Sequence, residues 1–129
     1  MDILVDIDDI RALICGLDPF VMFRIYYKLS QVVKDKQFKK QLIEEGLEQV
    51  KLALVGGNHI SSIHKWYGVL LNERCQYIST DEQIRSAYEV LDHFEEAVRL
   101  NPQDPTGYYI LGSWSVAPSI IEPIVLFVD

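Results

Sequence analysis

The sequence predicts an all-α chain, a short α-solenoid in which helical hairpins stack side by side. Three observations carry this expectation. Apolar residues recur at helical rather than alternating spacing. Helix-start and helix-stop signals fall between those stretches. Landmark residues repeat when the chain is shifted by 44 positions.

The first predicted helix opens at Asp18-Pro19, with aspartate as cap and proline at the first helical position, where its missing N–H costs nothing. Phe20, Phe23, Tyr27 and Val32 or Val33 then recur on one face. A second apolar stripe, Phe38, Leu42, Ile43, Leu47, Val50 and Leu54, ends at Gly56-Gly57-Asn58. A third helix is expected over Ser61 to Arg74, followed by a break at Ile78 to Asp81. Thr80 or Asp81 is expected to cap the fourth helix, with Gln83 completing a capping box from Thr80. That helix is expected to bury Ile84, Ala87, Tyr88, Leu91, Phe94 and Val98, and to stop before Pro102. Asp104-Pro105 opens a fifth, through Trp114. No alternating strand pattern with hairpin turns is present.

Under the 44-residue shift Leu47 falls on Leu91, Val50 on Phe94, Ala53 on Ala97, Leu54 on Val98, Tyr67 on Leu111 and Gly68 on Gly112. Small residues at such recurring sites let two helices approach, while the large ones fill the space above and below. A unit of this kind cannot bury its apolar face alone and stacks on its neighbour. The chain then divides into an acidic N-terminal segment, 1–18, a helical repeat domain, 19–114, and an apolar, proline-containing tail, 115–129.

Composition narrows the function classes. The 129 residues are 49% hydrophobic, enough for a packed core. No apolar run reaches the roughly 18 residues of a membrane span, and Ile120 to Val128 is interrupted by Glu122 and Pro123. Twelve cations against nineteen acids, net −7, make a poor general nucleic-acid binder. The charge is uneven: residues 1–18 hold five aspartates and one arginine, whereas residues 24–51 hold seven cations against four acids. The cluster Lys34, Lys36, Lys39 and Lys40 reads either as a solvated helix end or as a basic patch for an acidic partner.

Single-residue chemistry is sparse. His59, His64 and His93 form no His-x-x-x-His or Cys-His metal spacing, and His64 and His93 read as packing or hydrogen-bonding residues at helix ends. Gly56-Gly57 is not followed by the Gly-Lys-Ser/Thr of a phosphate loop. Cys15 and Cys75 have no base beside them in sequence and read as free thiols. Glu95 and Glu96 are adjacent and do not share a helix face. No catalytic, cofactor or metal site is expected, and the chain reads as a non-enzymatic binding module.

Phe94-x-x-Ala97-x-x-x-x-Pro102-x-Asp104-Pro105 followed by Leu111-Gly112 resembles the end of one tetratricopeptide repeat and the start of the next. The family period is about 34 residues, so extra residues are expected around Cys75 to Gln83. A longer set of landmarks runs from Leu47-x-x-Val50-x-x-Ala53-Leu54 through His64-Lys65-Trp66-Tyr67-Gly68 and His93-Phe94 to Leu111-Gly112-x-Trp114. These words and their spacing resemble the regulator of microtubule dynamics family. The resemblance implies a solenoid of tetratricopeptide-like units. It implies association with microtubules, tubulin or a microtubule-associated protein, and a role in microtubule dynamics and chromosome segregation. Some relatives are instead membrane-anchored tethers or lipid carriers. The alternative function is therefore an adaptor or lipid-handling module that holds a peptide or acyl chain in its groove. The N-terminal anchor of those relatives is not expected here, and the expectation is the cytoskeletal version, in the cytoplasm at microtubules and spindle poles.

After Trp114 the family continues through further helices, whereas here Pro118 and Pro123 interrupt the chain. An uncapped solenoid end favours a homo-oligomer. On the concave surface Lys65 and Tyr109 are the expected partner contacts, beside the Lys34, Lys36, Lys39 and Lys40 patch. Some tetratricopeptide proteins clamp a peptide carboxylate with Lys, Asn and Arg. Lys65 matches one clamp lysine, but Val69 stands where the asparagine is needed.

Overall fold

Acidic and hydroxyl side chains start most of the described helices. A computed structural model describes residues 6–105 and residue 107. Its helices are α1 (Ile7–Ile14), α2 (Pro19–Val32), α3 (Lys36–Gly57), α4 (Ser61–Arg74) and α5 (Thr80–Leu100), with a 3₁₀ turn at Cys75–Tyr77. Helical conformation resumes at Pro105, and the described residues contain no strand. The expected continuation of that helix to Trp114, Tyr109 on it, and the tail 115–129 lie outside the described residues.

Most caps follow from the sequence, and α4, entered from Ile60, has no side-chain cap. Asp18 accepts from the Phe20 N–H at 2.9 Å, ahead of Pro19. Asp35 accepts from the Gln37 and Phe38 N–H groups at 2.8 and 3.1 Å. Asp6 and Asp9 form a reciprocal capping box, at 2.9 and 3.0 Å, that starts α1 inside the acidic segment. One expectation is corrected here. The cap of α5 is Ser79, whose hydroxyl accepts from the Glu82 N–H at 3.3 Å, so the helix begins a residue earlier than Thr80 or Asp81 as cap would allow. The Gln83 side chain donates instead to the Cys75 carbonyl at 2.7 Å.

From α2 onward, each helix packs on the next one in sequence. Their links of three to five residues reach at most about 18 Å, less than the helices themselves at about 1.5 Å per residue. The chain therefore doubles back at every turn, and neighbours run antiparallel. In each hairpin the second helix is the long one: α3 has 22 residues and α5 has 21, against 14 for α2 and α4. The stretch from Cys75 to Gln83, where extra residues are expected, holds the 3₁₀ turn at Cys75–Tyr77 and the start of α5.

The main core joins Phe23 and Tyr27 of α2, Ile43, Leu47 and Val50 of α3, Trp66, Leu70 and Leu71 of α4, and Val90 and Phe94 of α5. Helix α4 is buried on nearly all sides, as a central helix should be. Close approach explains two glycines. A Cβ on Gly68 would lie 2.4 Å from the Phe94 ring, and one on Gly46 would lie 3.1 Å from Tyr26 Cβ. A second cluster places Ile10 and Ile14 of α1 over Tyr26 and Leu42. Arg11 pins α1 to α3 with a bidentate pair: its Nε and Nη2 each donate to Glu45 at 2.7 Å. That guanidinium holds the Glu45 carboxyl below its ordinary range, chiefly through the hydrogen bond.

The α5 face also differs from the expected one. Ser86, Val90, Phe94 and Ala97 are buried, whereas Ile84 and Tyr88 are 56% and 71% exposed. Among the described residues no helix is long and apolar enough to cross a membrane.

Candidate functional site

The turn between α2 and α3 gathers the cations that the sequence singled out. Lys34 lies in the link, and Lys36, Lys39 and Lys40 occupy the first turns of α3. Lys34, Lys36 and Lys40 are exposed, and Lys39 is half-buried. Lys28 adds an exposed cation from the last turns of α2.

Three features keep this edge positive. Asp35, the acid in its midst, spends its carboxylate on the α3 N-terminus. The first turn of α3 holds no acid beyond that cap. The positive end of the α3 dipole points the same way as the lysines. Lysine is a poor choice for a first helical turn on dipole grounds alone, so helix stability does not explain the clustering. Lys40 also lines an open cleft of about 400 Å³, shared with Ile7, Arg11, Gln37, Glu44 and Glu48. There the lysine edge meets the α1 surface.

Lys65 is placed differently. It is 4% exposed, and its Nζ donates to Asp104 Oδ2 at 2.7 Å. Its charge is engaged in pinning α4 to the link after α5, not presented to solvent. It is also remote from the lysine edge. Gly57, at the far end of α3, abuts Ile63 near the start of α4, and the length of α3 separates that end from Lys36, about 30 Å at helical rise. The structure thus unites Lys34, Lys36, Lys39 and Lys40 and leaves Lys65 apart. Tyr109 lies outside the described residues.

Two further features were not legible from motifs. On α5 the exposed Ile84 and Tyr88 share a helical stripe with Asp81, Asp92 and Glu95, all exposed. The spacing i, i+3, i+7, i+11, i+14 is the available signal, whereas the apolar period alone assigns Ile84 and Tyr88 to the core face. Between α4 and α5, His64 and His93 stack with ring centroids 5.1 Å apart, beside Tyr67. Burial is the leading cause that pushes the His93 imidazole below its ordinary value and the Tyr67 phenol up to about 12. Among the described residues no group of three or more His, Cys, Asp or Glu side chains could hold a metal ion. Both cysteines are free thiols, and burial raises the Cys75 thiol, opposite to what a nucleophile needs.

The profile of the family described as "Regulator of microtubule dynamics protein 1-3" matches residues 21–120. The chain is 37% identical over 87 residues to mouse regulator of microtubule dynamics protein 1, covering 67% of this chain and 28% of that protein. With the human protein 1 it shares 38% over 76 residues, 59% of this chain and 24% of that one. With Xenopus laevis regulator of microtubule dynamics protein 3 it shares 32% over 91 residues, 70% of this chain and 20% of that one. The matched region therefore spans about a fifth to a quarter of these relatives. No solved structure matches.

Proposed function

Because the chain belongs to the regulator of microtubule dynamics protein 1-3 family, we propose that it is a non-enzymatic module that regulates microtubules by docking on them through the lysine edge of the α2–α3 turn. One observation carries the reading: in a chain of net −7, four of the five exposed lysines, Lys28, Lys34, Lys36 and Lys40, gather about the α2–α3 turn, where the α3 dipole adds to their charge. A microtubule surface is acidic, so a strongly acidic chain can approach it only through a local cationic face.

The antiparallel stack supports a tetratricopeptide-like solenoid as the scaffold. In that reading each hairpin fixes the next, so that Lys36 and Lys40 are held on the stem of a 22-residue helix and not on a floppy loop. Lys34 and Lys39 widen the contact. The module then acts in the cytoplasm on the cytoskeleton, and the spindle and chromosome segregation are the setting in which such binding would tell. Binding of this kind is mostly long-range attraction, which salt screens over about 10 Å at 0.1 M.

The test is cosedimentation of the purified chain with polymerised tubulin at rising ionic strength. The reading expects pelleting at low salt that fades as salt rises. Absence of pelleting at low salt would overturn direct docking.

A further inference from the structure

We propose that the acidic stripe of α5 docks on the lysine edge of a second copy of this chain, joining copies head to tail. The stripe carries two exposed apolar side chains one turn apart, Ile84 and Tyr88, bracketed by Asp81, Asp92 and Glu95. Over that span of α5 the helix presents about 20 Å of straight surface. None of these five side chains belongs to the core face of α5, which is Ser86, Val90, Phe94 and Ala97, and the exposed Arg85 is the cation that flanks them. An exposed tyrosine beside an exposed isoleucine is a common anchor of protein interfaces.

The complementary surface is on the same chain. Lys28 and Val32 stand one turn apart on α2, with Val32 70% exposed, and Lys36 and Lys40 stand one turn apart on α3 beyond the short link. Apolar side chains flanked by cations face outward there, as apolar side chains flanked by acids do on α5. The two surfaces belong to opposite ends of the α2-to-α5 packing order. One copy therefore cannot close on itself without breaking the stack, and a second copy supplies the match. Contact between two different patches of one chain is heterologous, so it grows with concentration unless a ring closes.

The net charge of −7 makes the salt dependence diagnostic. Nonspecific apolar association of such a chain is opposed by repulsion and strengthens as salt screens it. The stripe-to-edge contact is held by local attraction and weakens instead. This inference stands apart from microtubule docking, although Lys36 and Lys40 serve both and the two interactions would compete.

Sedimentation velocity of the whole chain, over a concentration series at low and high ionic strength, tests it. The expected result is a mean mass that rises with concentration at low salt and falls back toward the monomer at high salt. Asp92→Ala/Glu95→Ala and Lys36→Ala/Lys40→Ala, each with unchanged helical circular dichroism, should weaken self-association about tenfold or more. An equimolar mixture of the two variants keeps one intact stripe and one intact edge, so it should form a dimer that does not grow. A wild-type chain that stays monomeric at every concentration overturns the proposal. So does association that strengthens with salt, or that both alanine pairs leave unchanged.

Discussion

The Nδ1 atoms of His64 and His93 lie 2.9 Å apart, and that contact fixes how both imidazoles hold their protons. His64 Nε2 is 2.8 Å from the Asn58 carbonyl, which can only accept, so Nε2 carries the hydrogen. His64 Nδ1 is then the acceptor, and His93 Nδ1 donates to it. The two rings thus share one proton across the α4–α5 interface.

Acid should therefore loosen this hairpin. Burial and the His64 neighbour lower the His93 imidazole, and they outweigh Glu89, Asp92 and Glu96, which act the other way. Unfolded, the His93 imidazole titrates at about 6.5. The folded state binds fewer protons there, so its stability is full above that pH and declines as pH falls below it. The urea midpoint should drop between neutral and mildly acidic buffer. His93→Gln should flatten that dependence, and an equally steep slope in the variant would remove the pair as its source.

The two glycines Gly68 and Gly56 should respond in opposite directions to alanine. At Gly68 the new methyl would overlap the Phe94 ring, and overpacking of this kind costs about 1–3 kcal/mol. At Gly56 nothing lies within 4 Å. Alanine there should stabilise the end of α3 by about 0.5–1 kcal/mol through reduced unfolded-chain entropy. Chemical denaturation of the two variants reads the contrast directly.

Lys65 and Asp104 should behave as a buried pair. Lys65→Met leaves the Asp104 carboxylate without that ammonium, and Asp104→Leu leaves the Lys65 side chain, 6% exposed, without its counter-charge. Loss of one partner should cost on the order of 3 kcal/mol, and the double change Lys65→Met/Asp104→Leu should cost less than either. Thermal melts of the three variants form the cycle. A double variant that adds the two single losses would show that the groups act independently.

Much of this architecture is written in the sequence. The α4 limits follow directly from spacing, and the stripe Leu42, Ile43, Leu47 and Val50 is buried as expected. The family words His64-Lys65-Trp66-Tyr67-Gly68 mark the helix that packs against both neighbours. Other features were illegible for physical reasons. Helix α1 is short, and its capping aspartates read as a run of charge, because reciprocal capping depends on backbone geometry and not on composition. On α5, Ile84 and Tyr88 fit a helical apolar period as well as the true core residues do. Only the position of α4 decides which stripe is covered. The lysine cluster was visible as charge, but that Asp35 in its midst is committed to a helix end required the backbone geometry.

The most direct test reverses charge on that edge. Lys39→Glu/Lys40→Glu alters two side chains at the cationic end of α3 without touching either apolar cluster. The account predicts that the variant keeps its helical circular dichroism and its unfolding midpoint but no longer pellets with microtubules at low salt. Pelleting equal to that of the unaltered chain would contradict the assignment of the α2–α3 edge as the docking surface.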